Sequence, residues 1–282
     1  MKKYASECVL KLFRHRSLLG AASNVVSYSG CVKKELIELL GKNGVALKYK
    51  PIMCLDTGDV FGMEVYVCWN RSPAIYLNLA TDDFLEVFDS YDVCLPIEAW
   101  ILQAALEQAA IWNKAYGRLV VAFNISLSQL FNENFFTNVN AACEATSLSA
   151  DLIEFEIAEG KLVQHPNRIA ALMDEFVRRG WGLNVDGFGL SSFSNQILEH
   201  RALKKVKFSS RLISRIFSDE IIYNHVKYMG ELALSNGIRL AADGITSSNI
   251  ADAATNIGCG YGQGYYFGEP LTTTEFSELL EG

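Results

Sequence analysis

No stretch of about 18 uninterrupted apolar residues occurs in the 282-residue chain, so no segment reads as a helix that spans a bilayer. A positive charge excess is also missing. Lys and Arg number 25 against 32 Asp and Glu, a formal net charge of −7. That balance offers no long-range attraction to DNA, RNA or anionic lipid. It excludes direct nucleic-acid binding and membrane-surface binding, but not contact with a protein that itself binds DNA. The seven cysteines (Cys8, Cys31, Cys54, Cys68, Cys94, Cys143 and Cys259) include no CxxC pair, which removes the support for a zinc knuckle or a redox couple. Most lie in apolar runs, as reduced, buried thiols of a cytoplasmic protein do. His15, His165, His200 and His225 stand far apart, and surface or capping roles suit each better than metal ligation. Residues 1–19 are basic, but Lys11, Arg14, His15 and Arg16 break the apolar core a signal peptide needs.

What is present is a foldable core, since half the residues are hydrophobic. Residues 1–31 read as an N-terminal extension. Val9, Leu10, Leu12 and Phe13 suit a helix docking on its own domain or on a partner, and Ser23 to Gly30 reads as a loop. Residues 32–282 read as one domain in which short apolar runs alternate with helical periodicity. The spacing predicts strands at Leu47–Leu55, Phe61–Trp69, Leu119–Ile125, Leu152–Ile157, Gly182–Asp186, Lys204–Phe208, Arg239–Asp243 and Gly262–Phe267. Between them, Ile169, Leu172, Met173 and Phe176 follow Pro166 at helical spacing and stop at Gly180. Ile222, Val226, Met229 and Ala233 form a second stripe, closed by Asn236-Gly237, and Leu102, Leu106 and Ala109 a third. Such alternation favours a parallel α/β sheet, open or closed. Six strands carry a polar residue late or at the end: Glu64, Asn124, Glu156, Asp186, Lys207 and Asp243. One polar group from each of six strands at one end is what a barrel mouth requires, and a mostly acidic set suits divalent metal.

These residues sit in stretches that resemble, in order, the EAL domain. Tyr49-Lys50-Pro51-Ile52 is similar to its opening strand, and Glu64-Val65-Tyr66, followed by Trp69, stands at the name-giving Glu-Ala-Leu. Asn124-Ile125-Ser126 with Leu130 resembles its Asn-x-Ser strand end. Glu156-Ile157-Ala158-Glu159 resembles Glu-x-x-Glu, and Asp186-Gly187-Phe188-Gly189 resembles Asp-Asp-Phe-Gly. Lys207 follows at the family's spacing. Ala242-Asp243-Gly244-Ile245 is similar to Ala-Glu-Gly-Val, and Gln263-Gly264-Tyr265-Tyr266-Phe267 with Pro270-Leu271 to the closing signature. The resemblance implies a modified TIM (β/α)8-type barrel that often dimerises and hydrolyses cyclic-di-GMP to linear pGpG with Mg²⁺ or Mn²⁺. It implies Glu64, Asn124, Glu156, Asp186 and Asp243 as metal ligands, Lys207 and Glu159 as catalytic positions, and Gln263 and Lys50 as ligand-binding ones. Two-metal chemistry explains the types: hard cations take oxygen donors, and a lysine offsets charge developing on the phosphate.

Against the family's pattern, several positions are altered. Gly187 replaces the second aspartate of the pair and supplies no side-chain ligand. Asp243 stands for a glutamate, about an ångström shorter in reach. Thr246 replaces a downstream glutamate, and Ser209 an aspartate. Leu190-Ser191-Ser192-Phe193 lacks the family's glycine and tyrosine. Cys68 stands where an arginine pairs with substrate phosphate, and Lys50 where a glutamine is expected. A two-metal centre depends on its complete set of ligands, so the expectation is a degenerate member with a weakened Mg or Mn site. Such a protein would act through a protein partner, for example a transcription regulator or another signalling protein, and as a homodimer if it keeps that trait. The alternatives are an active cyclic-di-GMP phosphodiesterase and a receptor that binds the dinucleotide without cleaving it.

Overall fold

The structure, a computed structural model, describes residues 45–69, 94–162, 166–190 and 198–282. The N-terminal extension, with the docking helix expected there, and the altered residues 191–193 lie outside the described residues. The chain divides into two compact units, residues 1–46 with 67–100 and residues 47–66 with 101–282. The first contributes, among described residues, the opening of β1, the end of β2 and the start of one helix. The second holds the rest of the barrel and every residue of the site below.

Eight strands close a barrel in chain order. They are β1 (Val45–Cys54), β2 (Val60–Trp69), β3 (Val120–Asn124), β4 (Ile153–Ala158), β5 (Gly182–Phe188), β6 (Leu203–Phe208), β7 (Arg239–Ala242) and β8 (Cys259–Gly262). β2 to β8 pair in parallel. The all-parallel expectation fails at β1, which runs antiparallel to β8. Only a five-residue turn separates β1 from β2, closed by Gly58 N–H to the Cys54 carbonyl at 2.9 Å. A parallel pair needs a crossover of a dozen residues or more, so a connection this short reverses the chain. The barrel is therefore a modified TIM barrel.

The described helices are α1 (Cys94–Tyr116), α2 (Leu127–Leu130), α3 (Phe135–Thr146), α4 (Glu159–Leu162), α5 (Pro166–Arg179), α6 (Ser210–Ile213), α7 (Glu220–Ser235), α8 (Ser248–Ile257) and α9 (Thr273–Glu281). The sequence signals for their ends hold. α5 opens on Pro166, and α7 ends at Ser235 with Asn236 as its C-cap; the structure adds the Asp219 carboxylate, which accepts from the amides of Ile221 and Ile222 at its start. The predicted stripes face inward: Leu102, Leu106 and Ala109, then Ile169, Met173 and Phe176, then Val226, Met229 and Ala233 are all buried. Alternate strand residues serve two cores. Phe155 on β4 points outward into the helix layer against Phe135, Phe176 and Trp181, with ring centroids 5.5–5.7 Å apart. Its neighbours Glu154 and Glu156 point into the barrel. Each such aromatic side chain contributes roughly 1.5–3 kcal/mol by leaving water.

The last strand is displaced from its expected span. β8 ends at Gly262, and Gln263–Phe267 turns across the barrel mouth instead of extending the strand. Tyr266 N–H donates to the Ile245 carbonyl at 3.1 Å and Phe267 N–H to the Gly264 carbonyl at 3.0 Å. At Gly264, with φ +150°, a Cβ would stand 2.1 Å from the Ile245 oxygen. Only glycine permits that approach, and the chain bends there although its aromatic run has strand composition.

Candidate functional site

The polar strand ends converge. Lys207, on β6, places its ammonium 2.5 Å from Glu156 of β4, 3.1 Å from Glu64 of β2 and 3.2 Å from Asp186 of β5. Asn124, the last residue of β3, donates its amide to the other oxygen of Glu64 at 2.6 Å. Asn124 and Glu156 are direct neighbours in the β3–β4 register. Asp243, just beyond β7, is paired with Lys50 of β1 at 2.5 Å. Gln263 follows β8, is 2 % exposed, and its Nε2 has no hydrogen-bond partner. Glu159 opens α4 and accepts the amides of Gly189 at 3.3 Å and Leu190 at 3.2 Å. These two bonds tie Glu159 to the loop after β5. His225 reaches the same loop through the Gly189 carbonyl at 2.8 Å, a structural role.

Four carboxylates thus face two ammonium groups in a buried mouth. Burial works to neutralise Glu64, but the charges of Lys207 and Lys50 and the Asn124 hydrogen bond outweigh it and hold the carboxyl down to about 2. Glu156 goes the other way. Burial, reinforced by the charges of Glu64 and Asp186, outweighs Lys207 and lifts it to about 7. Asp186 is raised for the same reasons, burial first. Lys207 is pulled down by burial, yet the four surrounding carboxylates keep it protonated far above the ordinary lysine value. The Tyr66 phenol is pushed well up by burial and then by Glu64, so it stays neutral beside the cluster. Sequence reading quoted Tyr66 only as part of the name-giving motif and assigned it no role.

The oxygen donors the family would offer a divalent ion are present but engaged. Glu64, Glu156 and Asp186 converge on an ammonium, and Asp243 on a second one. Among the described residues, no three His, Cys, Asp or Glu side chains gather closely enough to hold one ion. Gly187 adds nothing to the set. It sits at an irregularity of the β5–β6 ladder between Val185 and Phe188, with φ +69°. This donor set, as arranged, does not fit a two-metal centre. Cys68 lies on β2 four residues past Glu64 and is partly buried.

A second polar layer lies below the mouth, and sequence reasoning missed it. Glu154 pairs with Lys205, both nearly inaccessible, and with Arg239 at 3.4 Å. The Asn184 amide donates to Glu154 at 2.8 Å, leaving its own oxygen without a partner. Lys205 lies 5.6 Å from the Tyr261 ring centroid and 5.8 Å from that of Phe61. The signal was present in the sequence: Glu154, Asn184 and Lys205 each stand two residues before Glu156, Asp186 and Lys207, the period that keeps a strand side chain on one face.

The EAL domain family model matches residues 33–270. A cyclic di-GMP phosphodiesterase of Pseudomonas aeruginosa is 22% identical over 239 residues, 85% of this chain and 40% of that protein. The oxygen sensor protein DosP of Escherichia coli is 22% identical over 275 residues, 97% of this chain and 32% of its own length. The chain spans less than half the length of these curated relatives. Among solved structures, the PaMucR phosphodiesterase in complex with c-di-GMP superposes with a TM-score of 0.80 at 20% identity, covering 86% of this chain and 98% of that one. The FimX EAL domain of Pseudomonas aeruginosa bound to c-di-GMP does so with a TM-score of 0.74 at 17% identity, covering 84% and 94%. Structural likeness at such identities speaks for the fold, while the family match runs through all eight strands of the barrel, and by that match the chain belongs to the EAL domain family.

Proposed function

We propose that this EAL domain is a regulatory member of cyclic-di-GMP signalling that does not hydrolyse the dinucleotide and works by contact with another protein, such as a transcription regulator. The observation that supports the reading is the pairing of the mouth's carboxylates with two lysines. Lys207 lies within 3.2 Å of Glu64, Glu156 and Asp186, and Lys50 takes Asp243. Gly187 offers no further oxygen. Hydrolysis of a phosphodiester by paired ions needs open, fully coordinated positions, and losing one ligand lowers the rate by orders of magnitude. A barrel released from that chemistry keeps its scaffold while its rim loops vary. Purified protein incubated with Mn²⁺ and labelled cyclic-di-GMP is expected to leave the dinucleotide intact. Turnover that Glu64→Ala abolishes would overturn the reading.

One observation favours a second reading, a receptor that retains the dinucleotide. The Gln263 amide is buried and unpaired next to the mouth, and a buried donor without an acceptor is costly unless a ligand or water completes it. Calorimetry with cyclic-di-GMP in the presence of a chelator separates the two. Micromolar binding supports the receptor, and no heat supports a role through protein contact alone.

A further inference from the structure

Two carboxylates of the mouth keep an open side. The side chains of Asp186 and Asp243 are 23 % and 27 % exposed, against 4 % and 1 % for Glu64 and Glu156. Each meets an ammonium through Oδ1, and no described residue donates to its Oδ2. Asp186 lies late in β5 and Asp243 just past β7, the two strands that flank β6 and its Lys207. Four carboxylates against two ammonium groups leave the mouth with a negative excess. Three large apolar side chains, each at 50 % exposure or more, stand at the same end of the barrel. They are Leu190, two residues past β5, and Tyr265 and Tyr266, in the turn after β8.

This chemistry selects a guanidinium. A phosphate-bearing ligand meets the negative excess unfavourably, and among the described residues the carboxylates do not gather around a metal ion. A planar guanidinium carries N–H donors on more than one edge, so it can donate to the free oxygens on both sides of β6 at once; an ammonium acts as a point charge. Tyrosine faces at the rim attract the same cation. Gln263 adds a requirement that a free cation does not meet. Tyr261 faces the barrel interior, its ring centroid 5.6 Å from the Lys205 ammonium, and Gln263, two residues on, shares that face. Its Nε2 is a buried donor without an acceptor, and a main-chain carbonyl would supply one. A guanidinium beside a main-chain carbonyl is an arginine within a polypeptide. We propose that the mouth receives an arginine side chain of the partner protein, which bridges Asp186 and Asp243 while a carbonyl of the same segment accepts from Gln263. The proposal rests on the protein-contact reading above and names the chemistry of that contact.

Model peptides test it. A terminally blocked peptide with one arginine between glycines is titrated into isotope-labelled protein and followed by NMR. Beside it run the same peptide carrying citrulline, the neutral isostere of arginine, and agmatine, a guanidinium without a main-chain carbonyl. The arginine peptide is expected to bind at millimolar concentration or below, about tenfold more tightly than either of the others. Asp186→Asn and Asp243→Asn should each weaken it about tenfold. Gln263→Met should bring the peptide down to the level of agmatine and leave agmatine itself unchanged. The amide spectrum of each variant shows whether it is folded, and the second carboxylate variant serves if the first is not. No binding of the arginine peptide, equal binding of the citrulline peptide, or indifference to both carboxylate variants would overturn the inference. Agmatine binding as tightly as the peptide would do so as well, by assigning the mouth to a small cation. A peptide that fails to bind while labelled cyclic-di-GMP stays intact removes this inference alone and leaves the protein-contact reading standing.

Discussion

Glu156 and Glu64 share one lysine but are driven in opposite directions, and the difference sets a pH dependence. The Glu156 carboxyl is raised to about 7 in the folded protein, so the stability it contributes is full below the ordinary carboxylate value and is lost as pH rises through about 7. Glu64, held at about 2, contributes stability that is full above the ordinary value and is lost only as pH falls toward 2. Between about pH 5 and pH 8 the Glu156 contribution therefore declines while that of Glu64 stays constant. Urea denaturation should show the unaltered protein losing stability across this interval and Glu156→Gln losing less; equal losses would show that Glu156 does not titrate there. Gly187 supplies the complementary test of the missing ligand. A Cβ at this position meets nothing within 4 Å, so an aspartate fits at the cost of its positive φ, about 1 kcal/mol. Gly187→Asp combined with Asp243→Glu is expected to raise Mn²⁺ affinity at least tenfold by calorimetry. If affinity is unchanged, the lysines and not the lost carboxylate exclude the ion. The identities of these site residues were legible in sequence because most close an apolar run and all fall in motifs that follow one another in order. The pairing of Asp243 with Lys50 was not, since the two lie 193 residues apart.

At the scale of single elements, the strands of the barrel carry charge where a TIM barrel more often carries branched aliphatic residues. Glu154 and Lys205 are sealed within the floor with Asn184, and the exposed Arg239 reaches Glu154 from the rim of that layer. Removing one member of a buried pair strands the other, at about 3–5 kcal/mol. Lys205→Met should destabilise the protein by that amount in chemical denaturation, and Glu154→Leu with Lys205→Met should recover most of it. A double variant as unstable as the sum of the singles would mean that the two groups do not act as a pair. Sequence reading located β4, β5 and β6 and placed the upper residue of each, but treated the lower ones as ordinary strand residues. It extended the final strand through Phe267 because composition cannot register that the Ile245 backbone occupies the space a side chain at Gly264 would need. Helix limits fared better, because signals such as Pro166 and Asn236-Gly237 act within a single turn of chain.

For the molecule as a whole, the acidic balance of the chain gives an expectation about polyanions that a binding measurement can check. With a net charge of −7, the protein releases few counterions from a polyanion, and a DNA duplex in about 150 mM salt should show no mobility shift at micromolar protein; a shift would mean a basic face that composition hides. Among the described residues no helix is long and apolar enough to cross a membrane, in line with the interrupted apolar runs. Barrel closure was foreseen from six strands that each deliver a polar group to one end, and it holds, with β1 reversed by its short turn. The sequence by itself determined the alternation of strands and helices, the residues of the mouth and the family they resemble, because periodicity, caps and ordered motifs are local properties of a chain. Only the tertiary structure decided that lysines, not open positions, face the carboxylates, and that a second charged layer lies beneath them. Those arrangements rest on distances between strands remote in sequence, and on a burial that raises one carboxylate while a neighbouring ammonium lowers another.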